Sequence, residues 1–386
     1  MARFFTLLLF MALFFLLACQ PDQPTDTSPA PLPEISEDYE ENPYPWGFID
    51  SSGTLVIRAQ YDEVRAFSEG LALVRTNGRW GYIDRTGKMA IAPIYRAAWP
   101  FVNGHARAQT DEGQFGYIDR TGNWIIEAQF SALSEFSEGR AAFRIKEQYG
   151  YLDSTGQVII EAQFSKAGSF KNGEAVVARD GKYGIIKSDG SMLIDLNYER
   201  LKPFTDGLAR AWVKGKYGYL NTSGAFVIQP SYRQASDFVS GIAAVAEENT
   251  WGLITTTGEW VLEPLYEQLF PAGEDRWIAA IGRQYYLLDN EGSRLSNRPF
   301  QEIQPFSGGL AAYQDNELWG YLRPDGSSMT IPQFYLAWPF KDGLARVATR
   351  YGLTFINSSG RQLFLPQSQF FELRDFSEGL APAEIQ

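Results

Sequence analysis

The chain has a single cysteine, Cys19, and a single histidine, His105, among 386 residues. One thiol excludes any disulfide within the chain, and the two residues together cannot assemble a zinc site of cysteine and histidine ligands. A serine–histidine–aspartate relay would have to use His105. That residue follows the turn Phe101-Val-Asn-Gly104, at a position where sister segments carry Leu, Arg or Glu, and an ordinary turn residue is the preferred reading. Runs of lysine or arginine are missing too. With a formal net charge of −12 and a pI near 4.8, the chain is repelled by a duplex, which argues against nucleic acid as a partner. Helical periodicity is missing beyond the first nineteen residues. No metal ligand set and no cofactor motif stands out, so neither a metal nor a cofactor is expected.

Glycine and aromatic residues are plentiful: 36 glycines imply many turns, and 15% aromatic content can fill a large core. Both fall on a regular beat. An aromatic residue followed by glycine recurs with a period of 34 residues, at Trp46-Gly47, Trp80-Gly81, Phe115-Gly116, Tyr149-Gly150, Tyr183-Gly184, Tyr217-Gly218, Trp251-Gly252 and Trp319-Gly320. Two units depart from it. Tyr285-Tyr286 lacks the glycine, and in the last unit the frame falls on Leu353-Thr354, with Tyr351-Gly352 two residues upstream. A turn glycine follows each aromatic by seven residues, from Gly53 to Gly360, and Phe-x-x-Gly occurs in all ten units, from Phe67-Gly70 to Phe376-Gly379. Ten copies in register from Trp46 to Gln386 make a repeat protein.

The segment from Leu71 to Tyr95 shows the logic of one unit. Leu71 to Arg75 reads as a first strand, and Asn77-Gly78 as a type I′ hairpin, because both residues tolerate positive φ. Trp80-Gly-Tyr-Ile-Asp84 reads as a second strand with Trp80 and Tyr82 on one face. Asp84-Arg-Thr-Gly87 is a turn capped by the aspartate, with glycine in the left-handed position. Met89-Ala-Ile91 opens a third strand that is expected to stop near Pro93. A longer connection, Arg96 to Gly104, carries the chain to the next three-stranded antiparallel meander. The glycine after the aromatic is expected to make room for a neighbouring ring, the phenylalanine of Phe-x-x-Gly.

These residues resemble the WG repeat family of bacteria. Its pattern is matched by Trp80-Gly-Tyr-Ile-Asp84, Gly87, Ile91-Ala-Pro-Ile-Tyr95 and Phe67-Ser-Glu-Gly-Leu-Ala72. The resemblance runs from Trp46 to the C-terminus. It implies a repeat fold and little about function, since no catalytic residues are known in the family to carry over.

The all-β domain 46–386 starts out of phase, on a second strand at Trp46-Gly-Phe-Ile-Asp50, and ends on a lone first strand, Leu380 to Ile385. Pairing the two closes a propeller-like ring of ten blades and removes the exposed edges. In that case Pro382 must turn its missing N–H away from Trp46–Asp50, onto the open edge. The alternative is an open β superhelix with the divergent last unit as a cap.

Residues 1–18 read as a signal peptide: Arg3, then an apolar run from Phe4 to Ala18 that is short for a bilayer span. Leu16-Leu-Ala-Cys19 resembles the lipobox of bacterial lipoproteins, which implies cleavage before Cys19 and acylation of that residue. Several buried acyl chains give a durable anchor where one is marginal. Gln20 in place of aspartate removes the commonest inner-membrane retention signal, so a lipid-anchored outer-membrane location is expected. Residues 19–45 add a tether with seven prolines and seven acidic residues in positions 20 to 45, too poor in apolar side chains to fold.

Candidate chemistry is sparse. Asp50, Asp84, Asp119 and Asp153 suggest a ligand series, but Lys187, Asn221, Thr255 and Arg323 stand at the same position elsewhere, so turn capping is preferred. Glu127, Glu161, Asp195 and Glu263 share one third-strand position, as either a partial acidic ring around a channel or a solvated edge; base rates favour the edge. Trp99 and Trp338, in Trp99-Pro-Phe101 and Trp338-Pro-Phe340, stand where other units lack tryptophan. They are either core or candidate ligand-contact rings that stack on a sugar or anchor a partner. The expected function is non-catalytic: a lipid-anchored envelope scaffold binding a protein or glycan. A carbohydrate-active enzyme without a recognisable motif and a purely structural envelope component are the alternatives.

Overall fold

The computed structural model describes residues 44–296, 298–366 and 368–386. Cys19, the signal segment and residues 20–43 of the tether lie outside the described residues. The described residues form ten antiparallel sheets and no helix. Taken in ring order, blade 1 joins both ends of the domain. Blades 2 to 10 follow at 63–95, 97–130, 132–164, 166–198, 200–232, 234–266, 268–288, 302–334 and 336–357.

The ring is closed. Trp46–Ile49 pairs antiparallel with Ala381–Ile385, with Trp46 opposite Glu384 and Ile49 opposite Ala381. Blade 1 therefore takes Phe370–Leu373 and Ala381–Ile385 from the end of the chain, and Trp46–Ile49 and Leu55–Tyr61 from its start. The open superhelix is excluded and the last unit is no cap. Pro382 lies opposite Phe48, and its carbonyl accepts from the Arg374 N–H (2.9 Å). The carbonyl and nitrogen of one residue point to the same neighbour in an antiparallel ladder, so the nitrogen faces away from Trp46–Ile49 as expected. That edge is not open, because Phe370–Leu373 covers it.

Each regular unit has one strand more than the meander read from sequence. A two-residue strand, such as Glu63–Val64 or Ala97–Ala98, precedes the first strand and pairs with it. Two residues are too few to show an alternation, so it reads as connection. The third strand also continues through Pro93 to Tyr95. It sits on the sheet's edge beside a bulge, between Trp80 opposite Tyr95 and Tyr82 opposite Ile91, where a missing donor costs nothing.

Blades taper, as sheets radiating from a centre must. Small residues (Ala97, Ala98, Ala132, Ala167, Ala235, Ala337) sit at the short-strand edge, and large rings (Tyr95, Trp124, Phe164, Tyr232, Trp260) at the third-strand edge. The short strands are therefore innermost. Neighbouring blades are riveted by buried tyrosines: Tyr82, Tyr151, Tyr219 and Tyr321 donate to the carbonyls of Trp99, Gly168, Ser236 and Trp338 in the next blade (2.7–2.8 Å). Tyr117 donates likewise to Ser134. Burial pushes all five phenols well above the ordinary tyrosine range.

The phenylalanine of Phe-x-x-Gly lies on these tyrosines, as Phe101 on Tyr82 (4.9 Å) and Phe170 on Tyr151 (4.8 Å). The expectation that it covers the glycine after the aromatic is thus corrected. What approaches that glycine in every unit is backbone: a Cβ on Gly81 would lie 2.6 Å from the Ile91 oxygen and 2.7 Å from the Pro93 nitrogen. In three units a ring other than that phenylalanine closes in as well, Trp124 on Gly116, Phe143 on Gly150 and Trp260 on Gly252 (each 2.8 Å). The glycine lets the third strand cross. The two sheets with only three strands are those of blades 8 and 10, where Tyr286 and Thr354 occupy the glycine position. In blade 10 a loop replaces the strand; Thr354 is fully buried and its Oγ1 donates to the Phe364 carbonyl (2.8 Å). In blade 8 Tyr286 lies under the Arg294 guanidinium at 3.9 Å.

Alternating strand direction gives the ring two faces. One, the turn face, carries the Phe-x-x-Gly turns and the turns between second and third strands, whose ten glycines all have positive φ. The other, the hairpin face, carries the hairpins between first and second strands and the links between blades. The chain enters the ring and leaves it on the hairpin face, where the Ile385 N–H donates to the Pro45 carbonyl (3.1 Å).

Candidate functional site

The residue that follows the pair corresponding to Glu63–Val64 varies in character from one blade to the next. From blade 1 to blade 10 it is Arg374, Arg65, Trp99, Ser134, Gly168, Lys202, Ser236, Phe270, Gln304 and Trp338. Trp99 is held through its backbone: its N–H donates to the Arg107 carbonyl (3.0 Å), and its own carbonyl accepts from Tyr82. Its indole is half-buried, 5.9 Å from the Phe115 ring of its own blade, and packs on a core cluster that reaches Leu133 of blade 4. The Arg107 guanidinium lies over it at 3.9 Å. Arg107 itself is buried; it donates to the Leu133 carbonyl and pairs with Glu135 (3.4 Å). Burial lowers its pKa, and Glu135 opposes the shift.

Trp338 repeats this arrangement. Its N–H donates to the Arg346 carbonyl (3.1 Å), its carbonyl accepts from Tyr321 (2.7 Å), and the Arg346 guanidinium lies over the ring at 4.2 Å. In both pairs the buried Nε of the arginine, Arg107 or Arg346, has no hydrogen-bond partner among the described residues.

Between these two blades the same position carries arginine. Arg374 lies over Trp46 at 4.0 Å, donates to the Val64 carbonyl of blade 2 (2.8 Å) and pairs with Glu372 (3.1 Å). Arg65 lies over Trp80 at 5.4 Å and pairs with Glu63 (2.5 Å). Ring closure makes blades 10, 1, 2 and 3 consecutive, so four neighbouring clefts hold four guanidinium–indole pairs. A further Arg–Trp pair, Arg200 over Trp212 at 5.6 Å, lies apart in blade 6. Trp46 and Arg107 are buried, whereas the indoles of Trp80, Trp99 and Trp338 are half-buried, so three of the four clefts present part of a ring to a ligand that stacks and hydrogen-bonds.

The sequence picked out Trp99 and Trp338 but missed the arginines. The signal was present as an Arg eight residues after each Trp, but only strand pairing shows that this spacing brings the two together. His105 packs its ring edgewise against Tyr117 and Phe136 (6.3 and 5.6 Å). Glu127, Glu161, Asp195 and Glu263 lie exposed on the third strands, the solvated edge. The turn aspartates cap their turns: Asp84 Oδ1 accepts from the Thr86 N–H and hydroxyl (2.8 and 2.6 Å) and the Lys88 N–H (3.1 Å). Asn221 does the same in blade 6. Where Lys187 or Arg323 takes the position, Asp189 or Asp325 two residues later accepts instead. Among the described residues no three His, Cys, Asp or Glu side chains are grouped to hold a metal ion.

The profile of the WG containing repeat family matches residues 46–80, 80–113, 115–148, 149–183, 183–217, 217–251, 251–280, 300–319 and 319–349. Outside the matches fall 281–299, which include the last strand of blade 8, Gln284–Leu288, and 350–386, which include that of blade 10, Gly352–Asn357. No curated protein sequence matches the chain. Solved structures similar to it include the computationally designed protein Ika8 (16% identity, TM-score 0.37), covering 68% of this chain and 93% of that one. BamB from Moraxella catarrhalis shares 13% identity at TM-score 0.34, covering 64% of this chain and 89% of its own. A structure described as the eukaryotic initiation factor shares 10% at TM-score 0.44, covering 83% and 95%.

Proposed function

The chain belongs to the WG containing repeat family, and from that premise we propose that it is a lipid-anchored scaffold of the cell envelope. The ring binds an envelope protein or glycan and catalyses no reaction. The observation that carries the binding role is the arc of four guanidinium–indole pairs in blades 10, 1, 2 and 3. Acylated Cys19 holds the ring at the membrane, with the tether joining it at Trp46. The arginines of the arc are largely neutralised by Glu63, Glu135 and Glu372, which suits a ligand met by stacking and hydrogen bonds rather than by charge.

The binding test is a glycan array and an envelope-extract crosslink with the ring and its Trp338→Ala and Trp99→Ala variants. Removal of an anchoring tryptophan weakens binding by roughly 30-fold. Full binding by folded variants would place the site elsewhere. Anchoring is tested by labelling with a clickable fatty acid: the wild type is marked and Cys19→Ser is not, and equal labelling of both refutes the anchor.

A further inference from the structure

The hairpin face is polar at most of its hairpins: Asn77-Gly78, Lys146-Glu147, Asp180-Gly181, Lys214-Gly215, Glu248-Asn249 and Asn316-Glu317 stand at tips around the ring. Blade 10 breaks the rule. Its hairpin joins Leu344–Thr349 to Gly352–Asn357, and the aromatic residue displaced by two positions in the last unit, Tyr351, stands at the tip, 61% exposed. Tyr335 is 56% exposed and donates its N–H to the Ala348 carbonyl at the base of this hairpin (2.9 Å). Leu365, in the loop that replaces the third strand, is 81% exposed beside the buried Phe364. That loop leads to Gln369, whose carbonyl accepts from the Gln386 N–H (3.0 Å) on the same face. The Arg350 guanidinium lies over Tyr351 at 4.5 Å.

The chain enters the ring in the adjacent blade, on the same face, where Tyr44 stacks on Phe371 at 5.0 Å. We propose that this sector, centred on Tyr351, Tyr335 and Leu365, is a lipid-contact surface that rests on the bilayer beside the point where the tether joins the ring. This rests on the reading of Cys19 as the anchor. Tyrosine with a flanking arginine is side-chain chemistry that settles at the headgroup level, ring inward and charge outward. A leucine largely exposed to water gains by entering the acyl boundary. With a net charge of −6 over residues 46–386 the ring is not drawn to an anionic membrane from a distance. The contact forms because the tether keeps the face at high local concentration near lipid, and it is insensitive to salt.

Every strand of the ring lies within the described residues, so residues 20–386, which contain no cysteine, serve as the test protein. With vesicles of phosphatidylethanolamine and phosphatidylglycerol in a 3:1 ratio, this protein should partition weakly. Tyr351→Ser with Leu365→Ser should lower the partition coefficient about tenfold. A spin label on Tyr351→Cys should gain access to dissolved oxygen when vesicles are added, and one on Thr86→Cys, on the turn face, should not. Equal partitioning of the double variant, or a label at 351 that stays aqueous in the bound fraction, would overturn the proposal. Loss of the fatty-acid mark at Cys19 with the contact at 351 retained would overturn the anchor and support the surface.

Discussion

Replacing Gly150 by alanine tests why eight sheets have four strands and two have three. The new Cβ would lie 2.5 Å from the Ile160 oxygen, 2.8 Å from the Ala162 nitrogen and 2.8 Å from the Phe143 ring. Two of these three are backbone atoms of the third strand, so no rotamer change relieves the clash. If the strand shifts and stays, overpacking costs about 1–3 kcal/mol. If it detaches, as its counterparts are absent beside Tyr286 and Thr354, Ile160 and Phe164 lose their burial at about 1.5–3 kcal/mol each, or about 3–6 kcal/mol together. Urea unfolding gives the total, and hydrogen exchange over 158–164 separates the two cases. Gly181→Ala is the comparison: its Cβ meets nothing within 4 Å, and its φ of +73° costs about 1–2 kcal/mol of left-handed strain. Should Gly150→Ala cost no more than Gly181→Ala, with residues 158–164 still protected, the explanation of the glycine fails.

Three further outcomes are expected. Deleting residues 380–386 opens the ring, so amide protection should fall even in blade 6, at Leu208–Val213; loss confined to blades 1, 2 and 10 would show that closure adds no cooperativity. Gly156 has φ +87° and would place a Cβ 3.2 Å from Ile126 of the preceding blade, so Gly156→Val should cost about 2–3 kcal/mol; an unchanged melting temperature refutes this. The five riveting phenols have raised pKa values. Their stabilisation is complete below the unfolded value, about pH 10, and is lost as pH rises toward the folded one. Melting temperature should fall from about pH 10 upward, less steeply in Tyr151→Phe, and identical slopes for the two proteins would remove the rivets from the account.

Properties set within one unit were legible in the sequence. Asn77-Gly78 has φ of +50° and +75°, and Gly87 has +83°, because a hairpin or turn needs those angles whatever surrounds it. Closure was legible as well, since starting on Trp46 and ending on Ile385 leaves one strand short at each end. What escaped were features that exist only between units. The two-residue strands carry no pattern of their own, and the role of Gly81 depends on a strand ten residues further on crossing above it. Arg107 meets Trp99 only because their strands pair, and Trp338 comes within three blades of Trp99 only because the ring closes.

The Phe-x-x-Gly turns carry this point further. Their third residues run Glu69, Asn103, Glu138, Asn172, Asp206, Ser240 from blade 2 to blade 7, an acid alternating with a neutral residue. Each acid reaches forward: the Gly104 N–H donates to Glu69 (2.9 Å), the Asn172 and Gly173 N–H groups to Glu138 (2.6 and 2.8 Å), and the Gly241 N–H to Asp206 (2.7 Å). A carboxylate that caps its neighbour's turn is best served by a neighbour without a charge of its own, since like charges at that spacing repel. The repeat that physics sees here is two blades long, twice the repeat of the fold. It lapses at blade 8, where Ala272 holds the position, and gives way to successive acids where the chain closes. Asp342, Glu378 and Glu69 follow one another in blades 10, 1 and 2, and Glu378 accepts from the Gly70 N–H (3.0 Å) next to Glu69. The three successive acids fall on blades 10, 1 and 2, which also carry three of the four arginine–tryptophan pairs.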